Sequence, residues 1–233
     1  FLDSELCQLD KVYLYQLSNY NKVVLQRNKL LKELYLHPDY REVLDVLDMQ
    51  LVQYGSALIQ RRQTFAEELG EIVHRIHSQL SGGQEEMELK YEPNVTVDAF
   101  AQMLFANRER DMRLKTTATG PHRDDISFVV NGVDIRKFGS QGQQRTAALS
   151  LKLSEIELVK RLIGDTPVLL LDDVLSELDS GRQNYLLNSI ENIQTLITCT
   201  GLDEFVNHRF SINRIYKVTD GSVTVENKQE ADR

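Results

Sequence analysis

Two adjacent carboxylates, Asp172 and Asp173, end the apolar run Val168-Leu169-Leu170-Leu171, and Ser176-Glu177-Leu178-Asp179 follows three residues later. A short apolar stretch with Thr166-Pro167 before it and acids after it predicts a buried parallel strand. Open α/β sheets bind their ligands at the C-terminal edge of such strands. Two carboxylates there suit a Mg²⁺-nucleotide, with Asp172 in the metal's water shell and Asp173 positioning or deprotonating an attacking water. Alone, the pattern fits equally well a buried strand whose exposed end is capped by acids.

A second group lies upstream. Gly139-Ser140-Gln141-Gly142-Gln143-Gln144-Arg145-Thr146 is a polar loop that opens into a helical stretch, Thr146 to Ile163, with apolar residues at Ala148, Leu149, Leu151, Leu153, Ile156 and Leu158. A serine and a glycine at a helix N-terminus make half an anion site, because free N–H groups and the positive dipole end face the ligand. The other reading is a plain cap by Ser140 or Thr146. Loop, helix, Asp-Asp strand and Ser-Glu-Leu-Asp in this order and spacing are much harder to reach by chance.

That order resembles the ABC-type ATPase family in its SMC/Rad50-like branch, with a signature loop, a Walker B strand and a D-loop. A narrower resemblance, to the RecF family of bacterial recombination mediators, rests on Gly120-Pro121-His122-Arg123-Asp124, on Ser140 to Thr146 and on Leu169 to Asp179. It is strongest from Gly120 to Thr200, and Phe1-Leu2-Asp3 resembles the entry to that family's helical arm. Gly139 and Gln141 stand where the wider family has Leu and Gly, Asp173 stands where it has a catalytic Glu, and Thr200 occupies its switch-histidine position. These departures look normal for the narrower family and imply slow hydrolysis.

The resemblance implies a fold and a mechanism. The fold is α/β, the C-terminal half of an ABC/SMC-like P-loop ATPase head with a long helical hairpin arm. Two ATP molecules with Mg²⁺ are sandwiched in a homodimer, each between the Walker A loop of one subunit and the signature loop of the other. Ser140, Gln141, Gly142 and Gln143 then face the partner's γ-phosphate, and Ser176 and Asp179 reach across the interface. ATP binding closes the dimer on DNA, at junctions of single and double strands, and hydrolysis releases it. The implied setting is recombinational repair of gaps and stalled forks, with RecR and RecO as partners. His122, Arg123 and Arg145 are further candidates. Arg123 contacts a phosphate or pairs with Asp124 or Asp125, and Arg145 is a phosphate ligand or a helix-surface residue.

Leu80-Ser81-Gly82-Gly83-Gln84 spells the ABC signature more literally, but Glu85-Glu86 follow it and would repel a phosphate. The extended pattern of Leu89, Tyr91 and Val95 then replaces a long helix. Gly82-Gly83 is expected instead to stop a helix. No G-x-x-x-x-G-K-[ST] occurs, and the chain begins at Phe1. The expectation is a piece of a longer protein lacking the lobe that grips the β- and γ-phosphates.

Apolar residues make up 41% of the 233 residues and charged residues 27%, ordinary for a globular chain. No stretch approaches the ~20 apolar residues of a membrane span, and Cys7 and Cys199 form no metal pattern, so free thiols in the cytoplasm are expected. A net charge of −8 argues weakly against DNA binding by this chain alone. The cluster Arg108, Arg110, Arg113 and Lys115 is interrupted by Glu109 and Asp111, which favours a solvated helix face.

Apolar steps of three or four predict one helix from residue 1 to about 36 and a second from Val43 to Leu80, broken at His37-Pro38-Asp39 and paired antiparallel. An extended segment from Met87, a helix from about Val97 capped by Thr96, and a hairpin over Asn131-Gly132 follow. A helix from about Asp179, the strand Thr195 to Cys199, a short helix at Leu202 to His208 and a hairpin over Asp220-Gly221 close the chain. The expected division is a helical arm, 1–118, and a C-terminal ATPase lobe, 119–233. A non-enzymatic helical interaction module with an inert nucleotide site is the alternative. This chain alone is expected neither to bind ATP tightly nor to hydrolyse it; micromolar binding in calorimetry would contradict that.

Overall fold

The structure is a computed structural model that describes residues 1–34, 40–200 and 212–226. It divides into two compact units, 1–167 and 168–233. The expected break at His37-Pro38-Asp39, the short helix at Leu202 to His208 and the tail after Glu226 lie outside the described residues.

The first unit opens with helices α1 (Leu2–Leu9) and α2 (Lys11–Glu33) where one helix is expected. Asp10 separates them. Its backbone is extended (φ −136°, ψ 103°), and its carboxylate accepts the N–H groups of Val12 at 2.9 Å and Tyr13 at 3.0 Å. This is an N-cap, which restarts a helix without disturbing its apolar stripe. The long helix α3 (Arg41–Leu80) runs back antiparallel to α2, so that Arg27 meets Asp48 and Tyr13 meets Arg62. Its 40 residues span about 60 Å. Tyr13, Tyr20, Leu30 and Leu31 of α2 and Leu51, Leu58, Phe65 and Leu69 of α3 are buried in the arm. A Cβ on Gly55 would lie 2.5 Å from the Phe100 ring, so that position has to be glycine for the packing to close.

Two arginines are buried among these apolar side chains. Arg27 is wholly buried and donates to Asp48 at 2.6 Å, Asp111 at 2.7 Å and Thr117 Oγ1 at 3.0 Å. Arg62 donates to Asp3 and Asp124, both at 2.7 Å, to the Pro121 carbonyl at 2.6 Å and to the Tyr13 hydroxyl at 2.9 Å. Burying an ion pair roughly breaks even against apolar packing, whereas leaving one member alone is very unfavourable. These clusters therefore fix which elements meet more than they add to stability.

α3 ends at Leu80, and Gly82 (φ 64°) and Gly83 (φ 77°) turn the chain in the left-handed region, with Gly83 N–H on Ser78 O at 2.7 Å. The literal signature sequence is thus a helix stop, as expected. Strand β1 (Met87–Glu92) comes next. The expected helix from Val97 begins later, as α4 (Phe100–Ala106), and Thr96 does not cap it; α5 (Arg108–Leu114) follows after Asn107. The hairpin of β2 (Asp125–Val130) and β3 (Val133–Asp134) turns through Asn131 (φ 48°) and Gly132 (φ 82°), the positive pair of a type I′ turn. β1 adds antiparallel to β2, giving the order β1-β2-β3. Ile135 leaves the strand to start α6 (Ile135–Phe138), capped by Asp134. Helix α7 (Gln141–Ile163) completes the unit and packs on α3, ending at Gly164 in the left-handed conformation.

The second unit pairs β4 (Leu169–Asp172) parallel with β5 (Thr195–Thr198) through helix α8 (Ser180–Ser189), a βαβ connection. β6 (Ile215–Thr219) and β7 (Ser222–Glu226) form a hairpin whose turn, Asp220-Gly221, again has positive φ at both residues. The α/β class with a long helical hairpin is as expected. Among the described residues no helix is long and apolar enough to cross a membrane.

Asp111→Ala leaves the buried Arg27 guanidinium one carboxylate short. Urea unfolding is expected to report a loss of about 3–5 kcal/mol; a loss below about 1 kcal/mol would contradict the accounting of Arg27.

Candidate functional site

The signature-like segment is built from the end of α6. Gln144 Nε2 donates to Ile135 O at 2.9 Å, and a Cβ on Gly139 would stand 2.6 Å from that same carbonyl. A side chain at 139 therefore does not fit, which accounts for glycine where the wider family has Leu. Ser140 is the N-cap of α7. Its hydroxyl accepts the Gln143 N–H at 3.2 Å, and its own N–H donates to Gln143 Oε1 at 3.0 Å, a complete capping box. The helix thus starts at Gln141, five residues before the expected Thr146, whose hydroxyl instead bonds back to Gly142 O at 2.8 Å.

The capping box leaves the N–H groups of Gln141 and Gly142 without a partner among the described residues. They point out of the positive end of a 23-residue helix. Among the described residues Gly142 has no steric reason to be glycine: a Cβ there would meet Ser140 Oγ at 3.9 Å. A glycine in a first helical turn lowers stability by up to about 1 kcal/mol relative to alanine. Two open donors, a serine hydroxyl and an unfilled Cβ position suit a phosphate oxyanion that approaches the backbone closely.

Glu85, just past the literal signature, comes to this segment from 58 residues away. Its Oε1 accepts Gln143 Nε2 at 2.9 Å, and its Oε2 accepts His77 Nε2 at 3.2 Å. His77, wholly buried near the end of α3, meets Ser150 Oγ of α7 at 2.9 Å through Nδ1. Both polar ends of the Gln143 side chain are engaged inside the chain, while Gln141 is exposed. Nothing in the local sequence around Glu85 or His77 signals this, since the contact exists only once α3 and α7 pack. An open, mostly apolar cavity of about 350 Å³ lies close by, lined by Met87, Phe128, Ile135, Arg136, Gln144 and Leu151 among others; the Arg136 guanidinium is paired with Asp125.

In the second unit, Asp172 is the last residue of β4, and Asp173 follows with φ 49°. A left-handed aspartate is uncommon and is held here by two bonds from its N–H, to Thr198 O at 3.2 Å and Thr198 Oγ1 at 3.0 Å. The Thr198 hydroxyl in turn donates to Asp172 Oδ1. Thr198, inside β5, therefore sets the direction of the Asp172 carboxylate and fixes the backbone of Asp173. The Asp173 carboxylate is exposed and has no partner among the described residues. The Ser176 hydroxyl closes the turn on Asp173 O at 2.9 Å. Asp179 caps α8, and the Arg182 N–H it accepts holds its carboxyl below the usual range. Thr200 is exposed two residues past β5.

Asp172, Asp173, Ser176, Asp179 and Thr200 thus share the second unit, and Ser140 to Gln143 belong to the first with His122, Arg123 and Arg145. Arg145 is an exposed residue of α7. His122 is part of an internal cluster: Tyr20 Oη lies 2.7 Å from its Nδ1, and its Nε2 lies 2.9 Å from Thr117 O. A carbonyl can only accept, so Nε2 carries the proton; burial lowers the imidazole pKa and keeps the ring neutral. Among the described residues no group of three His, Cys, Asp or Glu side chains is set to hold a metal by itself. Asp172 can offer one oxygen contact, which fits a Mg²⁺ that keeps most of its water.

No family model matches the chain. It is 59% identical over 225 residues to the DNA replication and repair protein RecF of Agathobacter rectalis and 58% identical over 229 residues to that of Lachnospira eligens. These matches take in 97% of the chain and 62% and 63% of the relatives, so the chain spans somewhat under two thirds of their length. A solved structure of the recombination mediator protein RecF with ATP, in the RecFOR pathway, is 33% identical and superimposes with a TM-score of 0.85 over 97% of the chain and 61% of its own length.

Gly142→Ala is expected to leave thermal stability of the chain unchanged or slightly raised, because the position is open and alanine favours the helix. A clear loss of stability would mean that crowding within the chain, not an approaching ligand, requires this glycine.

Proposed function

Along 97% of its length the chain belongs to the RecF family, and we propose that it supplies the arm and the signature-loop and Walker B halves of an ATP-dependent DNA replication and repair protein of the RecFOR pathway. The single observation that carries the reading is the start of α7, with open N–H groups at Gln141 and Gly142 beside the Ser140 hydroxyl and a glycine that no described neighbour crowds. Half of an oxyanion site at an exposed helix end needs its other half from another surface. A second subunit carrying ATP provides one, which makes the active form a nucleotide-dependent homodimer.

The bound nucleotide and its Mg²⁺ supply the phosphoanhydride bond and neutralise its charge. Within this chain, Asp172 would contribute a carboxylate to the metal's water shell, and Thr198 would hold that carboxylate in place. Asp173, its own oxygens open, would orient the attacking water and accept its proton. Ser140, Gln141 and Gly142 would donate to the partner's γ-phosphate, with Gln143 fixing the cap that aims them. Ser176 and Asp179 shape the turn after β4 and would lie toward the second subunit. An Asp in place of the usual Glu and a Thr at position 200 leave fewer groups to polarise the water, so turnover would be slow and the closed dimer long-lived on DNA. RecR and RecO are the partners this reading implies. The division into arm, 1–118, and lobe, 119–233, is a functional one in this account, since the packing units differ from it.

The test uses the protein at the full length of its relatives. Asp173→Asn is expected to lower ATP turnover by about 10²-fold or more while nucleotide binding persists; wild-type turnover would refute the role of Asp173. Ser140→Arg is expected to leave ATP affinity in calorimetry intact but abolish turnover, because a bulky cation fills the partner's phosphate position. Unchanged turnover in that variant would count against a site shared between subunits.

A further inference from the structure

The sequence leaves Arg123 between two readings, a surface ion pair with its acidic neighbours or a phosphate contact, and the proposed mechanism uses neither. Both neighbouring carboxylates are engaged elsewhere. Asp124 accepts Arg62 Nη1 at 2.7 Å, the Asn94 N–H at 2.8 Å and the Tyr91 hydroxyl, and its side chain is only 4% exposed. Burial first, and then Asp124 itself, push the Tyr91 phenol up, so it remains a donor. Asp125 takes both terminal nitrogens of Arg136, at 3.1 and 2.9 Å, and is held below the ordinary carboxylate range chiefly by them. Arg123 is exposed, and its side chain makes no hydrogen bond or ion pair among the described residues.

The turn that carries it is braced at every other position. Gly120 has φ 133°, gives its N–H to Asn94 Oδ1 at 3.0 Å, and has no room for a side chain, since a Cβ would stand 2.3 Å from Tyr20 Oη. Pro121 is buried with its carbonyl on Arg62, and His122 is bonded through both ring nitrogens. The backbone closes with the N–H of Arg123 on Gly120 O at 3.0 Å. Such a buried polar network adds little net stability, and what it secures is one geometry. The one polar side chain of Gly120–Asp125 left without a partner among the described residues is a guanidinium, whose planar fork of N–H donors matches a phosphate bidentately and loses little freedom when the backbone beneath it is already fixed.

We propose that Arg123 is a preorganised phosphate-binding residue, presented by the Gly120–Asp125 turn. Its ligand is a phosphate oxyanion, from either the backbone of duplex DNA or the ATP of a partner subunit; this choice of sources rests on the proposed function, whereas the free guanidinium and the braced turn do not. Full-length protein carrying Arg123→Gln is compared with wild type in two arms, with Arg123→Lys as the conservative control. If the source is DNA, affinity for duplex falls about tenfold or more, evenly across unrelated sequences, and the salt slope drops by about one. If the source is the nucleotide, DNA binding without ATP is unchanged, and ATP turnover or affinity falls by a similar factor. Arg123→Lys should restore only part of either loss, because an ammonium keeps the charge without the fork. Both arms within twofold of wild type would overturn the assignment of Arg123 and leave the proposed function standing. Wild-type protein that bound neither probe would overturn both.

Discussion

A charged side chain taken out of water needs opposite charge beside it, and two arginines impose that demand on the whole first unit. Arg27 and Arg62 lie on antiparallel helices, and their partners come from α1, α3, α5 and the turn before β2. Apolar packing of α2 on α3 tolerates sliding by a helical turn; a buried guanidinium between fixed carboxylates does not. The clusters therefore set the register of the arm and carry it into Gly120–Asp125 and, through Asp125 and Arg136, to the segment that leads into Ser140.

The two halves of the candidate site solve a common problem with different means. At the start of α7 the backbone itself offers the donors, and the capping box decides which N–H groups stay open. At the end of β4 two carboxylates are presented, and one threonine on the neighbouring strand ties down both residues: Thr198 accepts from the Asp173 backbone and donates to the Asp172 carboxylate. A strained φ at Asp173 persists because those bonds compensate it. Neither half has a complete set of groups for phosphoryl transfer, which suits a site that exists only when two surfaces meet.

Much of this was legible in the residues. The acidic strand end, the polar loop before a helix, the helix stop at Gly82-Gly83 and both Asx-Gly hairpins depend on local chemistry, and local chemistry can be read from a sequence. Asp10 was legible in principle, since an aspartate three residues before Tyr13 is a cap signal, but the unbroken apolar stripe hid it. Glu85, His77 and Thr198 were not legible. Each matters through a partner in another element, and a part-buried glutamate after a helix stop looks the same whether or not a glutamine 58 residues away will donate to it. Arg123 was ambiguous for a related reason, because sequence adjacency to two acids suggests a pairing that long-range partners pre-empt.

The central claim is that the Ser140–Gly142 helix end is half of a nucleotide site whose other half belongs to a second subunit. Light scattering of the full-length protein, with and without ATP and Mg²⁺, tests it most directly. A shift from monomer to dimer that requires the nucleotide is the predicted result. A protein that binds ATP and stays monomeric across the same concentrations would contradict the claim and leave the helix end without its ligand.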